Sequence, residues 1–65
     1  MDTALSEREL AVLRLLATEM STAEIANALY VAVSTVRSHI KNIFSKMGVP
    51  NRTTAVDRAR NLEII

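Results

Sequence analysis

Apolar residues recur at three- and four-residue spacing through most of the chain, which is the period of a helix. Leu10, Leu13, Leu16, Ala17 and Met20 form the first such run and predict a helix over about residues 7–18. In front of it, Ser6-Glu7-Arg8-Glu9 reads as a capping box. There the Ser6 hydroxyl accepts from the Glu9 amide and the Glu9 carboxylate accepts from the Ser6 amide. Leu5 and Leu10 stand where a hydrophobic staple would sit. The signature returns at Ser21-Thr22-Ala23-Glu24, with Met20 and Ile25 as its staple. A second helix of about two turns follows, with Ile25, Ala26 and Leu29 facing inward.

Tyr30-Val31-Ala32-Val33 is too short for a paired strand and reads as a turn between helices, with Val31 entering the core. The third helix has the clearest pattern. Val36, Ile40, Ile43, Phe44 and Met47 fall within roughly 100° of arc, a core-facing stripe. The opposite arc carries Ser34, Arg37, Ser38, Lys41, Asn42 and Ser45, with no acid among them. Gly48 stops this helix as a residue able to take positive φ. Asn51 is a good N-cap for a fourth helix whose inward residues are Ala55, Val56, Ala59 and Leu62. The expected fold is all-α, four helices with a central helix-turn-helix over residues 1–65 as one domain.

Composition narrows the function classes. The chain has no cysteine, which excludes disulfides and cysteine-based zinc or redox sites. A single glycine and a single proline leave few turn punctuators and agree with helices. No apolar run approaches the roughly 20 residues of a membrane span and no signal-peptide pattern opens the chain, so a cytoplasmic location is expected. The net charge of +1 conceals an asymmetry. Residues 1–33 hold five acids (Asp2, Glu7, Glu9, Glu19, Glu24) and two bases (Arg8, Arg14). Residues 34–65 hold six bases (Arg37, Lys41, Lys46, Arg52, Arg58, Arg60) and two acids (Asp57, Glu63). Such a chain can turn a positive face toward a polyanion while staying near neutral.

A short helix, a tight turn and a longer helix with a basic, acid-free outer face make a helix-turn-helix. The major groove of B-DNA, about 12 Å wide, accepts one α-helix. Arg37 and Lys41, at i and i+4, lie one above the other on the groove side. Arg37 can donate to a guanine in bidentate fashion, and Lys41 can reach a base acceptor or a phosphate. Ser34 and Ser38 are short enough to let the backbone come close, Asn42 shares their arc, and Thr35 can offer a hydroxyl to a phosphate. The capped start of the second helix, at Ser21 and Thr22, offers free amides and a positive dipole end to another.

Five blocks resemble the LuxR-type (FixJ/NarL or GerE) helix-turn-helix family: Leu5-Ser6-Glu7-Arg8-Glu9-Leu10-Ala11-Val12-Leu13, Glu24-Ile25-Ala26, Thr35-Val36-Arg37-Ser38-His39-Ile40, Lys46-Met47-Gly48-Val49 and Asn51-Arg52-Thr53-Thr54-Ala55-Val56. The tail from Arg52 to Arg60 looks most like the C-terminal domains of large ATP-dependent, MalT-like members. The resemblance implies the C-terminal output domain of a larger bacterial transcription regulator that binds double-stranded DNA as a homodimer, with RNA polymerase as a further candidate partner. It puts base reading on Arg37, Ser38 and Lys41. It puts Thr35, His39, Lys46 and Arg52 near the phosphate backbone, and the dimer contact on the fourth helix at Thr54, Asp57 and Arg58. The expected site is a pseudo-palindrome.

Three positions depart from the family pattern. Glu19 stands where glycine is usual, and if it takes positive φ it costs on the order of 1 kcal/mol. Ala32 replaces the usual serine N-cap, a loss of roughly 1 kcal/mol, and Ser34 is expected to cap instead and start the third helix two residues late. Ala23 removes a basic side chain and with it one phosphate contact.

Two alternatives stay open at this level. Region 4 of a sigma factor shares the Leu-Ser-x-Arg-Glu opening but should lack the Gly-Val-x-x-Arg-Thr-x-Ala-Val block present here. A protein-interaction module would use apolar residues left exposed near the fourth helix, such as Val56 and Ile64. An enzyme is not expected: no cysteine nucleophile, glycine-rich phosphate loop or histidine–carboxylate spacing is present, and Glu7, Glu9 and Glu24 fit capping and surface roles. No cofactor, metal or small-molecule ligand is expected, since His39 is the lone histidine.

Overall fold

The computed structural model describes residues 4–65, in which four helices follow in order: α1 (Glu7–Leu16), α2 (Thr22–Leu29), α3 (Val33–Met47) and α4 (Arg52–Asn61). Both capping boxes form. At the first, Ser6 N donates to Glu9 Oε1 at 2.9 Å and Glu9 N to Ser6 Oγ at 3.1 Å. At the second, Ser21 N donates to Glu24 Oε1 at 2.8 Å and Glu24 N to Ser21 Oγ at 3.1 Å. Helices α1 and α2 both pack on α3, around a core in which Val12, Leu13, Ile25, Val36 and Ile43 are wholly buried. Val12 was not among the inward residues expected of α1, and Leu10, which was, is half-buried. Among the described residues no helix is long and apolar enough to cross a membrane.

Helix α1 stops at Leu16, two residues sooner than its apolar period suggests. Thr18 explains the stop, because its hydroxyl donates to the Leu15 carbonyl and accepts from Met20 N, closing a local turn. Glu19 is not among the described residues with positive φ, which are Tyr30, Gly48 and Glu63, so the strain expected at Glu19 does not arise. The work expected of a glycine is done from a distance: Arg52 Nε donates to Leu16 O at 3.0 Å and Arg52 Nη2 to Thr18 O at 2.7 Å.

Helix α2 ends in a left-handed residue, Tyr30, at φ 59°. Val31 N bonds Ala26 O at 3.0 Å in the Schellman pattern, and the half-buried Val31 packs against the core. Tyr30 itself is 95% exposed. The late start expected of α3 is corrected: Ala32 is the N-cap, with no side-chain bond, and the helix begins at Val33. The turn after α2 delivers Ala32 in an extended conformation, and its carbonyl accepts from Thr35 N and Val36 N, so backbone geometry alone closes the first turn. Gly48 ends α3 at φ 67° and Asn51 Oδ1 caps α4 by accepting from Thr54 N, both as expected. Leu62 is a second correction. It is 61% exposed, because Glu63 reverses the chain at φ 59° and brings Ile64 and Ile65, half-buried, against the core in its stead.

Candidate nucleic-acid interface

The two arcs of α3 separate as its pattern requires. Val36 and Ile43 are buried, and Ile40, Phe44 and Met47 pack against them. Ser34, Thr35, Arg37, Ser38, Lys41, Asn42 and Ser45 are all exposed, while His39 is half-buried at the edge of the face. Arg37 and Lys41 make no side-chain hydrogen bond or ion pair among the described residues, so both cations are available to an outside partner. The face carries two cations, four hydroxyls and one amide, a set rich in donors and without an anion to repel a phosphate.

The start of α2 is different in kind. Ser21 and Glu24 satisfy one another locally, which holds the helix end rigid, and Ser21 is exposed while Thr22 is half-buried. A capped, exposed N-terminus carries the positive end of the helix dipole.

Three of the remaining residues placed by resemblance, Lys46, Arg52 and Arg58, have side-chain partners inside the domain. Lys46 Nζ lies 2.7 Å from Glu9 Oε1. Arg52 holds the two carbonyls at the end of α1. Arg58 Nη1 donates to Met47 O at 3.1 Å, closing the end of α3. Lys46 and Arg52, which the resemblance puts near phosphates, thus each make a contact inside the domain. Asp57 and Arg58 are exposed on α4 and Thr54 is half-buried.

Glu9 is the residue that pattern reading undervalued. It was assigned to capping and the surface, yet only 4% of it is exposed. Lys46, donating to it, is the main cause that holds its carboxyl below the ordinary value of 4.5; the Ser6 amide adds to this and burial opposes it. A signal was present in the sequence. Glu9, Val12, Leu13 and Leu16 share the inward side of α1, and a carboxylate on an apolar stripe calls for a cation.

Comparisons with known proteins establish the family and agree with the fold. The model of the family described as "Bacterial regulatory proteins, luxR family" matches residues 3–59. The chain belongs to the LuxR family. It is 43% identical over 58 residues to the HTH-type transcriptional regulator MalT of Yersinia pestis, covering 89% of this chain and 6% of that protein. It is 46% identical over 52 residues to the response regulator protein VraR of Staphylococcus aureus, covering 80% of this chain and 25% of that one. Among solved structures, the response regulator ChrA of a heme-sensing two-component system superposes with a TM-score of 0.94 at 38% identity, over 100% of this chain and 32% of that chain. The chain thus spans a small part of the relatives it matches. As a LuxR-family domain it carries the DNA-binding helix-turn-helix of bacterial transcription regulators. The family match removes the sigma-factor alternative. The motive for a bare interaction module also weakens, because Val56 is buried and Ile64 half-buried.

Proposed function

We propose that this LuxR-family domain is the output domain of a longer cytoplasmic regulator and reads double-stranded DNA in a sequence-specific manner through α3. The observation that carries the reading is the exposed, acid-free arc of α3, on which Arg37 and Lys41 have no side-chain partner among the described residues. Arg37, Ser38 and Lys41 touch base edges in the major groove. Ser34, Thr35, His39 and Asn42 flank them toward the sugar-phosphate backbone, and the N-terminus of α2 at Ser21 and Thr22 receives a phosphate. Lys46 and Arg52 support the interface by holding α1 to α3 and α4.

Two copies associate through α4. In a two-fold contact the same patch faces itself, and the adjacent opposite charges of Asp57 and Arg58, with Thr54 one turn earlier, suit such self-pairing. The pair sets two recognition helices about 34–36 Å apart on one face of the duplex.

Selection from a random duplex pool at low salt tests the reading. An enriched pseudo-palindrome whose affinity falls steeply with salt supports it. Enriched single half-sites keep the DNA function and overturn dimerisation by this domain. No enrichment and no salt-sensitive binding overturn the whole reading. Within an enriched site, Arg37→Ala should cost about 1–3 kcal/mol and relax preference at one base position. Equal losses on every sequence would remove Arg37 from base reading.

A further inference from the structure

Val33 opens α3, and the residue is 37% exposed. It precedes Arg37 by four residues and Lys41 by eight, so it continues the same side of the helix toward the N-terminal end. Val33 is not part of the buried core or of the apolar residues packed against it. A β-branched residue does not favour the helix, and Val33 is one of three large hydrophobic residues left exposed among the described residues. Its surroundings are small and uncharged: Ala32 before it caps with no side-chain bond, and Ser34 and Thr35 after it are exposed hydroxyl residues. The backbone can therefore come close to another surface here. In a helix-turn-helix the N-terminal residues of the second helix meet the base edges, and the Cα–Cβ bond of each residue leans toward that end. The apolar group that the major groove offers is the C5-methyl of thymine.

We propose that Val33 is a specificity-determining residue that reads a thymine through its C5-methyl group, beside the base read by Arg37. The inference rests on the DNA reading above and adds an apolar determinant to its polar ones. Uracil in place of thymine deletes that methyl and nothing else, which makes the test direct. Each thymine of a selected site is replaced by uracil in turn, and binding is measured for the wild-type chain, Val33→Ala and Val33→Thr. In the wild type one thymine per half-site is expected to matter, its replacement weakening binding about fourfold, the worth of one buried methyl. Val33→Ala binds the thymine site as weakly as the wild type binds the uracil site and ignores that replacement. Val33→Thr, which keeps one γ-methyl, retains part of the effect.

Three results overturn the inference while leaving DNA reading intact: selective binding indifferent to every uracil, a uracil effect undiminished in Val33→Ala, or a selected half-site without thymine. Loss of sequence selectivity in the wild type itself overturns the DNA reading and this inference together.

Discussion

Helices α1 and α2 open with the same four-residue signature, serine followed three residues later by glutamate, yet they are held in opposite ways. Helix α1 is tied at both ends by side chains from far along the chain. Lys46, 37 residues away, neutralises Glu9 in its first turn, and Arg52 takes the carbonyls at its last. Helix α2 relies on its neighbours in sequence: Ser21 and Glu24 satisfy each other at its start, and Tyr30 ends it in a left-handed conformation with its ring in solvent. In one capping box the glutamate is buried beneath a lysine from α3, and in the other both residues are left at the surface. The difference teaches that a capping box fixes where a helix begins and says nothing about what its outer atoms are for. On α1 those atoms hold the fold. On α2 they stay at the surface, at the end proposed above to receive a phosphate.

The largest expected effect comes from unfastening α1. Lys46→Met leaves the Glu9 carboxylate buried without its cation and should cost about 2 kcal/mol, seen as a lower urea midpoint. Changing Glu9→Gln in the same chain should recover part of the loss, because the uncompensated charge is then gone. The pair also sets an acid limit. The folded protein lowers the Glu9 carboxyl below its ordinary 4.5. Its stabilisation is thus fully present above that value and is lost as pH falls through the lowered one. Urea titrations carried downward through this range should show wild-type stability declining, and the decline should shrink in Lys46→Met. An undiminished decline would mean that other carboxylates carry the acid sensitivity.

At the other end of α1, Arg52→Leu should cost about 1–2 kcal/mol, since it strands the Leu16 and Thr18 carbonyls. Next in size is the matched pair Ser6→Ala and Ser21→Ala, each worth about 1 kcal/mol of stability as a lost N-cap. Only Ser21→Ala should also weaken DNA binding at a temperature where both variants are folded; equal binding by the two would break the contrast between the helices. The smallest effect has the opposite sign. Tyr30→Gly should raise stability by about 0.5 kcal/mol, because it relieves a left-handed residue that packs on nothing, against the entropy glycine loses on folding.

Several local signals were readable in the sequence because the responsible residues lie within four of one another, although the start of α3 at Val33 and the stop of α1 at Leu16, also local, were not. Both capping boxes, the Asn51 cap, the Gly48 stop and the two arcs of α3 came from spacing alone, and the fold class with them. What escaped were side-chain contacts across the sequence. Nothing near Lys46, Arg52 or Arg58 in the chain says that their donors lie against Glu9, the end of α1 and the end of α3. Leu62 escaped for a related reason, since its place in the period was taken by Ile64 after a reversal at Glu63, a residue with no special turn preference. The exposed face of α3, by contrast, is a single helix arc, which is why the candidate interface was visible before the fold was.

Helix α3 and the start of α2 are proposed to meet DNA while the start of α1 holds the domain together. Titrating a selected duplex into the isotopically labelled 65-residue chain and following backbone amide resonances tests it most directly. Large shifts are expected at Ser21, Thr22 and along the α3 face from Val33 to Asn42, with the Ser6 and Glu9 amides nearly still. Large shifts at Ser6 and Glu9 with α3 unmoved would contradict it.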